Sequence, residues 1–396
     1  MCNPHHAIDD AWESFAPLGS RERRGEFLGH PGVALAPHSW VLEVDKGELD
    51  TARVQHEAGE ALREGQIVLR VEGVAMTANT MTYAALGDAL GYWRLFPAEP
   101  GWGRIPAWGH GRVIASRCAG CDAGALLFGL FPIASSVILT ARRSKQRLTA
   151  TDPHRSALNP VYNQYFFEPD APDAVLAAKA AFHPLLILSF VLYHHLKDSG
   201  WFDADEVVVT SASSKTALGF AFLARNEVSC TGLTSSAQKR WLEATAAYRT
   251  VSEYGLGAGE ILGRRVLIVD FSGSSAVVER IVLELGDRVV RVVNVGFTHV
   301  TKAVVPGTEE ESARAEFFFG PDHIERLVKN LGGVEFNKNF ERALEAFIDT
   351  SSSWFAVHYV DGAAKLISAY QRLRRGALPA SEILIARPNY GRDEGT

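Results

Sequence analysis

Four short apolar runs, at residues 206–210, 228–233, 265–270 and 289–295, alternate with three stretches of helical periodicity at 216–225, 236–247 and 275–286. No other feature constrains the chain as much. Strands that each return through a helix pair in parallel, and a parallel sheet must be covered by helices on both faces. The expectation is an α/β fold built on a doubly wound parallel sheet. A chain of 396 residues exceeds what one hydrophobic core serves, about 250–300 residues, so a second domain is expected.

The first run, Val207-Val208-Val209, stops at Thr210-Ser211-Ala212-Ser213-Ser214, and a helical stretch begins at once with Lys215-Thr216. A helix N-terminus held at the end of a buried strand presents backbone N–H groups to a phosphate. The glycines of G-x-G-x-x-G are missing, so Ser213, Ser214, Lys215 and Thr216 are expected to reach a phosphate with their side chains. A hydroxyl-rich helix cap with no ligand is the alternative reading. The second run ends at Leu233 and leads into Thr234-Ser235-Ser236, then Lys239-Arg240. A doubly wound sheet reads the adenosine ribose at this point. An acid there binds the 2′-hydroxyl of NADH, whereas hydroxyls and cations suit the 2′-phosphate of NADPH. Leu233 to Arg240 contains no acid, so Ser235, Ser236, Lys239 and Arg240 are expected to hold NADP. The turn Asp270-Phe271-Ser272-Gly273 and Gly296-Phe297 after the fourth run complete the expected cofactor site, and Tyr254 is added by a resemblance, since Tyr248 to Tyr254 is similar to the stretch after the third strand of dinucleotide-binding sheets. Packing, or a turn that needs Gly273, explains these last residues equally well.

Before this region the pattern is β-rich. Residues 65–72, 109–115, 125–132 and 136–139 read as short strands with Gly and Pro punctuation, which suggests a small barrel or sandwich. Residues 151–173 read as a proline-rich connector carrying Tyr162-Asn163-Gln164-Tyr165-Phe166-Phe167, and helical periodicity runs from Asp173 to Lys197. Beyond residue 300, helices at 322–331, 339–349 and 362–375 precede a strand at 381–386.

This order, a β-rich domain, a crossover helix, a strand–helix alternation and a closing helix and strand, resembles the medium-chain dehydrogenase/reductase superfamily. Val68 to Glu72 followed by Ala78-Asn79-Thr80 is similar to its barrel strand and asparagine-bearing turn. Trp108-Gly109-His110-Gly111 stands where its members carry Gly-His-Glu. Asn79 to Ala84, Tyr92-Trp93, Phe96-Pro97, Trp108-Gly109 and Ser213 to Ala217 resemble a divergent, uncharacterised branch known as a domain of unknown function. The resemblance implies a GroES-like catalytic domain over 36–175 and 350–396 and a Rossmann NADP-binding domain over 176–349. It also implies a homodimer paired through the sheet edge, for which the apolar strand 289–295 supplies an edge that needs cover.

Zinc-dependent relatives place a cysteine in the turn that here reads Val74 to Asn79, and none is present. The acidic neighbour of His110 is replaced by Gly111, and the four-cysteine lobe is absent. A catalytic zinc needs three protein ligands, so no metal is expected. Cys118-Ala-Gly-Cys121 lacks a second pair and reads as two ordinary thiols at a turn. His194 and His195 read as helix-surface residues. For the chemistry, Asn79, Tyr83, Tyr162, Asn163 and Tyr165 are the candidates. A hydride arriving at a carbonyl or activated alkene leaves negative charge on oxygen, which a tyrosine O–H or an amide stabilises.

The sequence therefore points to a zinc-independent, NADPH-dependent reductase of a carbonyl or α,β-unsaturated carbonyl. The loop aromatics Tyr92, Trp93, Phe96 and Trp102 suit an apolar or aromatic small-molecule substrate. A non-catalytic NADPH-binding protein and a non-redox enzyme on the same fold are the alternatives. The net charge of −6 argues against a nucleic-acid partner. The apolar run 182–196, interrupted by His183 and Pro184, is too short for a membrane span. With no secretory signal at its polar start, the protein is expected in the cytoplasm.

Overall fold

The computed structural model describes residues 38–255, 261–295 and 315–389. Gly296 and Phe297 lie outside them. The chain divides into two compact units, with the division falling between Ala181 and Phe182 and again between Trp354 and Phe355.

The β-rich unit begins with β1 (Ser39–Asp45), β2 (Ala52–Glu57) and β3 (Gln66–Met76), followed by a short helix α1 (Ala78–Ala85). Strands β4 (Trp102–Gly103), β5 (Pro106–Ser116), β6 (Leu126–Pro132), β7 (Ser136–Arg143), β8 (Arg147–Ala150) and β9 (Gln164–Glu168) follow. The order β3-β5-β6-β9-β8-β7 closes on itself, because β7 also pairs with β3, so these six strands leave no free edge. Strand β9 corrects the sequence reading. Residues 164–168 are a barrel strand paired with β6 and β8, not connector. The prolines that signalled a linker, Pro153 and Pro160, start 3-10 turns before it.

Helix α2 (Asp173–Asp198) carries the chain to the second unit. It is long and apolar enough to cross a membrane, yet 67% of its apolar window is buried inside the protein, as in a core helix. The second unit comprises β10 (Glu206–Val209), α3 (Lys215–Ala224), β11 (Ser229–Thr234), α4 (Ser236–Thr245), β12 (Thr250–Glu253), β13 (Val266–Asp270), α5 (Ser275–Leu285), β14 (Val289–Val295), β15 (Ala315–Phe318), α6 (Gly320–Leu331) and α7 (Gly333–Ser351). Its sheet runs β12-β11-β10-β13-β14-β15, every pair parallel. In order of appearance this is 3-2-1-4-5-6, the Rossmann arrangement. Val208, Leu233, Val266, Ile268, Val278, Ile281 and Val292 pack as one core on one face. Truncating a buried isoleucine such as Ile268 to alanine costs about 2–5 kcal/mol.

Strands β12 and β15 were not read from the sequence. Each has four residues, too few for a periodicity to show. Strand β15 removes the ground given for a dimer, since it covers β14 and the sheet edge lies at β15 instead.

The chain then returns to the β-rich unit. Strand β16 (Ala356–Asp361), helix α8 (Ala363–Arg374) and β17 (Glu382–Arg387) form a parallel β-α-β unit, and β17 joins β3 antiparallel.

Candidate functional site

Two polar regions emerge, one in each unit. In the Rossmann unit the turn after β10 leads into α3. The first four N–H groups of any helix lack intrahelical partners. Here Ser214 is the cap, and its Oγ accepts from the Ala217 amide at 3.2 Å. Ser213, Ser214, Lys215 and Thr216 are all half-buried around the helix mouth. The turn is anchored beneath them. The Ala212 amide donates to the Leu233 carbonyl at 3.0 Å, and the Tyr248 hydroxyl donates to the Ala212 carbonyl at 3.0 Å. Gly232 makes this contact possible, because a Cβ there would lie 2.8 Å from Ala212 Cβ and 2.9 Å from the Tyr248 ring. Ser211 adopts φ +45°, a left-handed conformation that costs a non-glycine residue about 1–2 kcal/mol. The Tyr254 hydroxyl accepts from the Ser211 amide at 2.5 Å. Tyr254 is therefore drawn onto the turn.

Helix α4 follows β11. Ser235 stands at its N-cap with no side-chain capping bond, and Ser235, Ser236 and Arg240 are exposed while Lys239 is half-buried. No described acid pairs with Lys239 or Arg240. Two cations and two hydroxyls so placed fit a phosphate ester.

Asp270 has a different occupation. It is buried at the end of β13. Its carboxylate accepts from Thr210 Oγ1 at 2.5 Å, from Ser272 Oγ at 2.6 Å and from the Gly273 amide at 3.1 Å. Thr210 Oγ1 accepts in turn from the Phe271 and Ser272 amides. This network ties the carboxyl ends of β10 and β13, the neighbours from which the sheet winds in opposite directions. Ligands of open α/β sheets collect beside such a point. The Asp270 carboxylate and the Ser272 hydroxyl are used inside the turn, and Phe271, half-buried, is the side chain of this turn left beside that network.

In the β-rich unit the second region forms around α1. The Thr77 amide donates to Thr80 Oγ1 at 3.0 Å, which fixes the helix start immediately after β3 and sets Asn79 and Tyr83 one turn apart on one face. Trp108 Nε1 donates to the Tyr83 hydroxyl at 2.9 Å. The Tyr83 and Tyr92 rings lie 4.7 Å apart, and the Tyr92 and Tyr162 hydroxyls are 3.0 Å apart. Burial first, and Tyr162 second, raise the Tyr83 phenol well above the ordinary tyrosine value, against the opposing bonds from Trp108 and Asn79. Burial and then Tyr162 do the same to Tyr92. Burial raises Tyr162, opposed by Tyr92. All three remain protonated at neutral pH. Because the Tyr83 oxygen already accepts from Trp108, its single O–H is the group able to give a hydrogen bond or a proton.

Tyr83 and Tyr162 are thus brought together beside Asn79, joined by Tyr92, which the sequence showed only as a bulky loop aromatic, and by Trp108, which it showed only as part of the Trp108-Gly109-His110-Gly111 motif. Tyr165 and Asn163 are not. Tyr165 is 1% exposed and donates to the Leu130 carbonyl at 2.6 Å. Its ring fills the space that Gly129 leaves, where a Cβ would come within 2.5 Å. Asn163 Nδ2 donates to the Arg155 carbonyl. Both hold the barrel, as their place on and beside β9 requires.

His110 lies in the core of β5, tilted against Phe128. Burial, then Lys179, lowers it to about 3, so it is a neutral imidazole, and the metal-capable side-chain group among the described residues does not include it. Cys118, Cys121 and Cys230 are free and buried, and burial raises Cys121 to about 11 and Cys230 to about 12.

A barrel-containing β-rich unit joined to a six-stranded parallel unit of this order defines the two-domain fold of the medium-chain dehydrogenases/reductases. Solved structures agree. The CurK enoyl reductase superposes with a TM-score of 0.54 at 12% identity, covering 88% of this chain and 99% of that one. The quinone oxidoreductase from Coxiella burnetii gives 0.52 at 13%, covering 88% and 99%. A mycobacterial protein complexed with NADPH gives 0.55 at 16%, covering 88% and 100%. Within that fold, residues 74–379 match the family model "Protein of unknown function (DUF2855)", and the chain belongs to this family. No curated protein matches the sequence.

Proposed function

We propose that the protein is an NADPH-dependent reductase of a carbonyl or α,β-unsaturated carbonyl in a small apolar or aromatic molecule. The observation that carries this reading is the pair Lys239 and Arg240, unengaged by any described acid, beside exposed Ser235 and Ser236 after β11. The solved relatives named for enoyl and quinone reduction, and the one complexed with NADPH, support it.

On this reading Ser213, Ser214, Lys215 and Thr216 hold the cofactor phosphates at the start of α3, with Tyr254 over the turn. Lys239 and Arg240 neutralise the 2′-phosphate. When bound, the dihydronicotinamide supplies a hydride. Tyr83 donates its O–H to the substrate oxygen on which charge develops, and Asn79 and Trp108 hold the phenol oxygen in place. Tyr92 and Tyr162 surround it and exclude water. Reduction by this route needs no metal. The protein acts as a homodimer, paired along β15, now the sheet edge, and works in the cytoplasm without nucleic-acid partners.

The test is loss of NADPH absorbance with purified protein over a panel of aldehydes, ketones, quinones and enones. Substrate-dependent oxidation that Tyr83→Phe abolishes is the expected result. Tight NADPH binding with no turnover on any class would replace the reductase with a non-catalytic binding protein.

A further inference from the structure

Three ligands that lie far apart in the sequence meet at the edge of the parallel sheet. His195 stands near the C-terminal end of α2, Glu316 on β15 and His323 in the first turn of α6. One ligand atom from each lies within 4.8 Å of the others. His195 Nε2 is 2.8 Å from Glu316 Oε1. The second carboxylate oxygen, Oε2, accepts from Arg291 Nη2 at 3.1 Å, which fixes the plane of the carboxylate. His323 lies flat on Phe318, ring centroids 4.0 Å apart, and the His195 ring packs at 4.4 Å from His323. Aromatic packing therefore orients both imidazoles. A cavity of about 290 Å³ borders them, with His194, Asp198 and Arg326 on its wall.

We propose that His195, Glu316 and His323 bind one divalent transition-metal ion, zinc by ligand type, with its remaining positions open to water or a small anion in that cavity. Two imidazole nitrogens and one carboxylate oxygen form the donor set of open zinc sites. Zinc–ligand bonds of about 2.0–2.2 Å place neighbouring donors roughly 3.4 Å apart, so side-chain rotations of about an ångström complete the site. The ion takes the place of the proton shared by His195 and Glu316. Arg291 stays on the outer carboxylate oxygen, the kind of second contact that orients a metal ligand. The ion would clasp the helix before β10 to the last strand and the helix after it. The phosphate turn follows β10, three strands away in the sheet order, so no step of the proposed reduction passes through the metal. The expectation of a metal-free protein rested on the missing cysteine between Val74 and Asn79, on Gly111 beside His110 and on the missing four-cysteine lobe, none of which bears on this group.

The experiment uses untagged, chelator-treated full-length protein titrated with Co²⁺ and Zn²⁺, followed by calorimetry and visible absorption. One ion per chain with micromolar or tighter affinity is expected, with thermal stability raised by zinc. His323→Ala, which leaves the His195–Glu316 pair in place, should weaken binding by at least the roughly 10–100-fold that loss of an outer contact costs. Glu316→Gln should do the same, with circular dichroism confirming its fold. His5 and His6, adjacent in the sequence and outside the described residues, are the control: the double variant His5→Ala/His6→Ala should bind as the wild type does. Absence of binding tighter than about 100 μM, or binding undiminished in both His323→Ala and Glu316→Gln, would overturn the site and leave an ion pair that clamps α2 to β15.

Discussion

Lys239 and Arg240 carry charges that no described acid neutralises, whereas Tyr83, Tyr92 and Tyr162 are engaged with one another, with Asn79 and with Trp108. The first region is open and lacks its counter-charge. The second is buried and already hydrogen-bonded. A site that awaits a charged ligand leaves cations at the surface, where water solvates them cheaply until the ligand arrives. A site that must deliver one proton in a dry environment holds its donor in a fixed geometry, because an unpartnered buried hydroxyl is costly. On the proposed reading, cofactor recognition and acid chemistry fall on different units because the two tasks tolerate water differently.

Breaking the second region should give the largest effect. Tyr83→Phe removes the O–H that the proposed reduction uses as its proton donor and is expected to lower kcat by about 10²-fold or more, with NADPH affinity unchanged. Steady-state kinetics beside a cofactor titration will show this, and a parallel loss of NADPH binding would mean that Tyr83 acts on the cofactor instead. His110 sharpens the contrast between a buried polar group that serves chemistry and one that only tolerates burial. Its folded value of about 3 lies below that of the unfolded chain. The unfolded state therefore binds a proton that the folded state refuses. Stability should fall by about 1.4 kcal/mol per pH unit as the pH drops below about 6.5, and denaturant melts of His110→Phe should show a shallower acid dependence. Tyr165→Phe removes a barrel hydrogen bond and should cost about 1 kcal/mol without altering kcat. A hundredfold loss of activity would return Tyr165 to the reacting group. Ser211→Gly should relieve the left-handed turn and raise stability by about 1 kcal/mol or less, read as a small rise in Tm.

What could be read in the sequence follows the same division. The region proposed to hold the nucleotide is local. Val207 to Thr216 and Leu233 to Arg240 are continuous stretches, so strand, turn and cap chemistry announce the sheet and its ligand end. Asn79 and Tyr83, one helical turn apart, were legible for the same reason. Tyr92 and Trp108 join them only because the barrel brings α1, the turn at Gly91 and β5 together, and no spacing encodes that. Tyr165 was misplaced because prolines before it mimicked a linker, while the strand that buries it has only five residues. Asp270 sits at the predicted end of β13, yet its carboxylate serves the Thr210 turn, a pairing across adjacent parallel strands that is invisible without register. The His195, Glu316 and His323 group is the extreme case, assembled from a helix, an edge strand and the helix after it.

The central claim is that the hydroxyls and cations after β11 read a 2′-phosphate. Titration of NADPH and NADH against the wild type and Lys239→Ala tests it directly. A charge-assisted hydrogen bond contributes about 1.5–3 kcal/mol, and about 1.4 kcal/mol is tenfold in affinity. The wild type should therefore prefer NADPH, and Lys239→Ala should weaken NADPH about tenfold or more while leaving NADH nearly unchanged. Equal affinity for the two cofactors in the wild type, or an equal loss of both in the variant, would contradict the assignment.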